Sequence, residues 1–210
     1  DPVYAPLARR AQTLWRELEA ESGQTLLRVT GGLNNGPPEG MLVSGALESA
    51  LTHDIAHEQL DSVELQRRYP ALRVAATDVA VWEPEAGILD PEACVGALGE
   101  SARRAGAQLE TGNSLVSWKQ TNVGIQVRTA TGDVHARNLI LALGAWLPAF
   151  HAQLPLRVTR QSVFWFETSD PPIHSADRLP HYLIEFEPGR VFYGFPDLGH
   201  GLKCAIHHEG

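Results

Sequence analysis

The residues best suited to chemistry lie near the end of the 210-residue chain, between Tyr193 and His207. If Leu202 to His207 is extended, alternation puts Lys203, Ala205 and His207 on one face and Cys204 and Ile206 on the other. A cation and a titratable imidazole then look into the same space. The loop before them carries Gly199 and Gly201, and glycine lets a ligand come close to backbone. The same alternation suits an edge strand whose exposed Lys and His deter association with other strands. Pattern alone leaves both readings open.

Other chemistries find less support. Nine histidines raise the question of a metal. His53 and His57 stand four apart on a predicted helix, which would put two imidazoles on one face. Position 54 is Asp, so H-E-x-x-H fails, and spacing dictates no third ligand. A solvated surface pair and no metal are expected. A dinucleotide cradle needs G-x-G-x-x-G between a strand and a helix. Gly199 and Gly201 give G-x-G, but position 204 is Cys and no helical pattern follows. There is no G-x-S-x-G elbow. Cys94 and Cys204 fit neither a metal spacing nor a disulfide framework, and both read as small core residues.

Composition narrows the partners. With 43% hydrophobic and 20% charged residues the chain fits a soluble globular protein. A net charge of −8 argues against nucleic acid or an anionic membrane as partner. The longest apolar run, Leu139 to Leu147, is far too short to span a bilayer. A cytoplasmic, reducing location is expected from the cysteine usage.

The elements that must position these residues follow from periodicity. Asp1-Pro2 opens a predicted helix with Tyr4, Leu7, Ala11, Leu14, Trp15 and Leu18 on its apolar stripe. Leu26 to Leu33 reads as a strand ending in the turn-rich Asn34-Asn35-Gly36-Pro37-Pro38. A second helix runs from Val43 to Ile55; Asp61 and Glu64 form a capping box for a short third. Val79 to Trp82 is a strand, and Asp90 caps a helix carrying Cys94, Ala97, Leu98 and Ala102 on one face. Leu109 to Ala136 then alternates as a three-stranded meander whose last tight turn is Thr131-Gly132-Asp133. The unbroken apolar run Leu139 to Leu143 predicts a strand buried on both faces, as in a parallel sheet. Strands follow over Val158 to Thr168, in a hairpin turning at Pro188-Gly189, and over Leu202 to His207.

Several segments, in order, resemble one family. They are Tyr4 to Trp15, Trp82-Glu-Pro-Glu-Ala-Gly-Ile-Leu89, Leu143-Gly-Ala-Trp146, Arg160-Gln161, Phe192-Tyr-Gly-Phe-Pro196 and Gly201-Leu-Lys-Cys-Ala-Ile-His207. They are similar to the monomeric sarcosine oxidase and N-methyltryptophan oxidase branch of the flavin-dependent D-amino-acid-oxidase superfamily, along essentially the whole chain. The resemblance implies an α+β fold with a mixed substrate-lobe sheet and part of a Rossmann-like FAD lobe, the latter seen as the meander and one buried strand. It implies a linking helix at 1–25, a substrate lobe at 26–90 and 151–210, and a piece of the FAD lobe at 91–150. It implies oxidation of the C–N bond of a secondary, N-methyl amino acid by FAD, with O2 reduced to H2O2.

By the same resemblance Lys203 is the lysine that activates oxygen, where a fixed cation stabilises the negative charge developing on O2. His207 and Tyr193 line the substrate side and Leu183 is an apolar pocket residue. Leu115 meets the adenine, while Leu143 and Gly144 border the flavin nucleotide. The family's N-terminal strand–GxGxxG–helix would precede Asp1; its flavin-linking cysteine, a carboxylate-binding lysine and the last flavin-binding strand and helix would follow Gly210. The expectation is therefore a central fragment, inactive alone, prone to non-native self-association, with FAD held by the intact parent. A non-catalytic scaffold retaining the substrate lobe is the alternative from another class, and a glycine-oxidase-like or dehydrogenase-type relative the alternative among enzymes. Residues 1–210 alone are expected to purify colourless, and a yellow flavin spectrum would overturn that expectation.

Overall fold

The computed structural model describes residues Tyr4–His208, the Pro171 side chain aside. The predicted helix start at Asp1-Pro2 therefore lies outside the described residues. Two compact units form: one from residues up to Ser101 together with those from Gln161, the other from residues 102–160. The first unit begins with α1 (Tyr4–Ser22), β1 (Leu27–Val29), β2 (Gly32–Gly36), α2 (Met41–Thr52), β3 (Glu58–Asp61), α3 (Ser62–Arg68), β4 (Val79–Glu83), β5 (Gly87–Leu89) and α4 (Pro91–Arg104), whose last turn enters the second unit. The second holds β6 (Leu115–Thr121), β7 (Gly124–Thr129), β8 (Asp133–Ala136), a 3-10 turn (Gly144–Trp146) and α5 (Leu147–Phe150). The chain re-enters the first unit for β9 (Phe164–Phe166), α6 (Pro171–His174), β10 (His181–Glu187), β11 (Arg190–Phe195) and β12 (Leu202–Ile206).

Period-two alternation builds the first unit around a mixed seven-stranded sheet, ordered β3-β4-β2-β10-β11-β12-β9. β2 and β10 run parallel and their neighbours antiparallel. One face carries Leu60, Ala80, Leu33 and Tyr182 into a core completed by Leu65 of α3, Leu72 and Leu179. Gly194 is needed on this face, because a Cβ there would meet the Tyr182 ring at 2.3 Å. Burial pushes the Tyr182 hydroxyl up to about 12. A smaller cluster of Leu18, Leu26, Cys94 and Ala97 joins α1 to α4. Both cysteines are buried, as their apolar neighbours predicted.

Several expectations need correction. Leu26 to Leu33 is two strands, because the chain turns at Gly31 (φ +72°): β1 pairs with β5, whereas β2 enters the large sheet. Of the predicted turn, Asn34-Asn35-Gly36 is the end of β2, and the chain turns only from Pro37, whose carbonyl accepts from Gly40 N at 2.8 Å. Pairing with β4 on one side and β10 on the other satisfies the backbone and overrides turn propensity. Asn35 is wholly buried and donates to the Val79 carbonyl at 3.1 Å. The buried stripe of α1 passes through Leu18 with Ala11, Gln12 and Trp15 beside it, leaving Tyr4, Leu7 and Leu14 exposed. Leu98 is likewise exposed. Asp61 accepts from Glu64 N at 2.8 Å and Asp90 from Ala93 N at 2.9 Å, so both caps form, but the Glu64 carboxylate turns to Arg67 and Arg68 instead of closing the predicted box.

The second unit contains the predicted meander, ordered β6-β7-β8. Its last turn closes from Thr129 N to Gly132 O at 2.8 Å, a residue or two earlier than predicted. No residue from 102 to 160 is buried. Leu139 to Leu143 is not a strand, and Ile140 is 90% exposed. A parallel strand exists only with hydrogen-bonding neighbours and covered faces, and no described strand pairs with this run.

One buried acid ties the sheet to its helical cover. Glu185 of β10, 5% exposed, accepts from Leu42 N at 2.9 Å through one oxygen and from Gly189 N at 3.1 Å through the other. It thus caps α2, whose own N-cap, Gly40, has no side chain to do so. These backbone donors, the Leu42 amide foremost, hold its carboxyl below the usual range. Glu185→Gln keeps one acceptor and turns a donor towards the other amide. It is expected to cost about 2 kcal/mol at pH 7 in urea denaturation. The wild-type contribution is complete above the unfolded glutamate value, about 4.3, and fades as pH falls through the lower folded value. The variant's acid limb should be flatter in that window.

Candidate functional site

The sheet face turned away from the core carries the reactive side chains, and strand register determines which ones meet. Leu183 lies opposite Tyr193, Tyr193 opposite Ala205, and Phe195 opposite Lys203. An irregularity between Glu185 and Glu187 makes this possible. Pairing outward from the Pro188-Gly189 turn without it would put Leu183 on the opposite face from Tyr193; one extra residue reverses every side chain beyond it. β12 is flanked by β11 and β9, so the edge-strand reading of Lys203 and His207 is incorrect.

The Lys203 ammonium sits 5.3 Å from the centre of the Trp165 ring and 5.3 Å from that of Phe195. Rings at this range attract a cation through their electron-rich faces and displace water from it. Among the described residues no carboxylate pairs with Lys203. Tyr193 meets Phe195 edge-on at 6.0 Å and the His207 ring edge-on at 6.1 Å. The His207 backbone is held by a 2.7 Å bond to Val191 O. The loop leading into β12 folds around Asp197, which accepts from Gly199 N at 2.7 Å and Gly201 N at 2.9 Å. Gly201 (φ +88°) is required there, since a Cβ would lie 2.7 Å from the Phe166 carbonyl. That loop aims Lys203 at its rings.

The structure thus brings Lys203, His207, Tyr193 and Leu183 onto one face. Leu115 (half-buried, first residue of β6), Leu143 and Gly144 belong to the other compact unit. Gly144 has φ +53° and nothing within 4 Å of where a Cβ would stand. His53 and His57 do not share a helix face, because α2 ends at Thr52. Among the described residues no group of three or more His, Cys, Asp and Glu could hold a metal.

Sequence reasoning missed Trp165, Phe195 and His181 as parts of the site. Phe195 was accessible by counting two residues on from Tyr193; Trp165 and His181 depend on register. The His181 ring fills the space over Gly32, where a Cβ would meet it at 2.6 Å, and stacks at 6.4 Å on Phe195. Its Nδ1 is buried with no hydrogen-bond partner among the described residues. Burial lowers the affinity of this imidazole for a proton, against an opposing hydrogen bond to the Gly31 backbone. Nitrogen-detected NMR at pH 6.5 is expected to find His181 largely neutral, where a free imidazole is half protonated. Folding stability linked to it is complete above pH 6.5 and falls as pH drops through the folded value. A His181 signal half protonated at pH 6.5 would contradict this burial.

Comparison with known proteins identifies the family. The family profile described as FAD dependent oxidoreductase matches residues 1–209. Monomeric sarcosine oxidase of Streptomyces avermitilis is 34% identical over 220 residues, covering 100% of this chain and 56% of that protein. N-methyl-L-tryptophan oxidase of Yersinia pestis is 28% identical over 207 residues, covering 99% of this chain and 56% of that protein. The solved structure of NikD, an amino acid oxidase essential for nikkomycin biosynthesis, has the same fold over 94% of this chain and 53% of its own, at TM-score 0.75 and 21% identity. The chain spans about half the length of these relatives. With its profile match and its ordered segments, the chain belongs to the FAD dependent oxidoreductase family.

Proposed function

We propose that the protein carrying this chain oxidises the C–N bond of a secondary, N-methyl amino acid and passes the electrons to O2, yielding H2O2. The observation that carries this reading is Lys203: an ammonium held between two rings, without a carboxylate partner among the described residues, on the same face as His207, Tyr193 and Leu183. A cation so held is available to negative charge that arises during a reaction, and it needs no reorganisation to meet it. The names of the two curated relatives, one a sarcosine oxidase and one an N-methyl-L-tryptophan oxidase, support the substrate class.

The residues fit the redox end of the family's cofactor. FAD, when bound, supplies the acceptor for a hydride equivalent from the carbon next to nitrogen. Lys203 would stand at the oxygen side of its ring, while Leu115, Leu143 and Gly144 would border its nucleotide part. The open space beside Gly144 suits a close approach of ligand to backbone. Among the described residues no glycine-rich strand-to-helix turn cradles a pyrophosphate.

The chain's own residues orient the amine. Tyr193 and Leu183 give the substrate an apolar floor, and His207, edge-on to Tyr193, presents an imidazole at its rim. The residues up to Ser101 and from Gln161 serve as the substrate lobe in this reading, and residues 102–160 as a part of the cofactor lobe.

Lys203→Met in the flavin-loaded protein tests the assignment. Stopped-flow oxidation of the reduced enzyme by O2 is expected to slow by at least about 100-fold, while anaerobic reduction by substrate persists. Unchanged oxygen reactivity would remove Lys203 from this role.

A further inference from the structure

The site face continues past Leu183 to a polar end. Asn34 of β2 lies opposite Leu183, and Val81 opposite Asn34. With strands about 4.8 Å apart, Asn34 stands roughly 10 Å from Tyr193 across the sheet. Here residues of α1 and α2 border the face and leave an open hollow of about 600 Å³. Asn34, Glu83 and Val191 line its floor, and Tyr4, Met41 and Ala46 line its walls. Val191 also accepts the backbone bond of His207, so the hollow reaches the strand that carries the site.

Its chemistry is one-sided. The Asn34 side-chain amide donates to Glu83 Oε1 at 3.5 Å, leaving Asn34 Oδ1 and Glu83 Oε2 without a described donor. No lysine or arginine lines the hollow. Burial raises the Glu83 carboxyl above its ordinary value, against the opposing charge of His57. Two acceptor oxygens in a largely apolar hollow, with no lysine or arginine among its lining residues, favour a ligand group that brings hydrogens and positive charge.

We propose that Asn34 and Glu83 form the far end of the substrate pocket and select an N-methyl amino acid whose side chain ends in a cationic hydrogen-bond donor. This rests on the oxidase reading, which puts the reacting amine near Tyr193, Leu183 and His207. The roughly 10 Å from Tyr193 to Asn34 admits a side chain of four or five atoms, whereas sarcosine has none to reach it.

The test uses the flavin-loaded full-length protein and two probes. Nα-methyl-L-lysine ends in an ammonium; Nα-methyl-L-2-aminoheptanoate has the same number of side-chain heavy atoms and ends in a methyl. Binding is read anaerobically from perturbation of the flavin spectrum or by calorimetry, and turnover is read separately. The wild type is expected to bind the lysine probe at least about tenfold tighter, in keeping with a charge-assisted hydrogen bond. Glu83→Gln, nearly isosteric, and Asn34→Val, a good strand former, should each reduce that ratio several-fold, and the double variant should bring it near one. Equal binding of the two probes by the wild type, or an unchanged ratio in Glu83→Gln, would overturn the proposal. If the lysine probe binds preferentially but neither probe is oxidised, the oxidase reading fails and the recognition stands. If both are oxidised with no preference, the recognition fails and the oxidase reading stands.

Discussion

In a regular strand side chains alternate between faces, and the seven-stranded sheet is built on that constraint, broken at the irregularity between Glu185 and Glu187. Every second residue of its central strands is committed to the core through Leu33, Ala80 and Tyr182. The intervening residues point to the other face and form the row from Asn34 through Leu183 and Tyr193 to Ala205, with Phe195 and Lys203 beside it. A residue that helps hold the fold is therefore a neighbour in sequence of one that can do chemistry. Tyr182 beside Leu183 and Cys204 beside Lys203 show the division of labour. Gly32 and Gly194 serve opposite faces in the same way, each empty because an aromatic ring from β10 fills the space above it.

Two carboxylates stabilise the approaches to this sheet. Glu185 bonds α2 to the β10–β11 turn, and Asp197 gathers the loop before β12. Neither uses an ion pair to do so. Each accepts from backbone N–H groups, which are fixed by the chain and unaffected by salt screening, unlike surface pairs such as Arg10–Glu17. The precision of the site thus rests on acceptors for otherwise orphaned amides.

Much of the fold was legible in the sequence. The Asp61 and Asp90 caps, the meander, the hairpin at Pro188-Gly189 and the strand carrying Lys203 all follow from local signals, because caps and turns are satisfied by residues a few positions away. What failed was decided at long range. Asn34-Asn35-Gly36 reads as a turn until β10, nearly 150 residues later, is laid beside it. Leu139 to Leu143 reads as a buried strand because its apolarity signals a covering that no described strand provides. In the site, Lys203, His207 and Tyr193 were accessible to alternation and resemblance. His181 and Trp165 were not: the irregularity between Glu185 and Glu187 sets the face of His181, the β12–β9 register sets that of Trp165, and neither has a marker in the local sequence.

The ring-flanked ammonium of Lys203 has a further consequence when set against the net charge of −8 on the whole chain. At long range an acidic chain repels anions; at Lys203 it offers them a positive charge without a carboxylate partner among the described residues. Small anions that would otherwise occupy the cation meet an unfavourable potential on approach, and salt weakens that barrier over distances of about 10 Å. The acidic composition thus sets a salt-dependent penalty on anions that approach this ammonium.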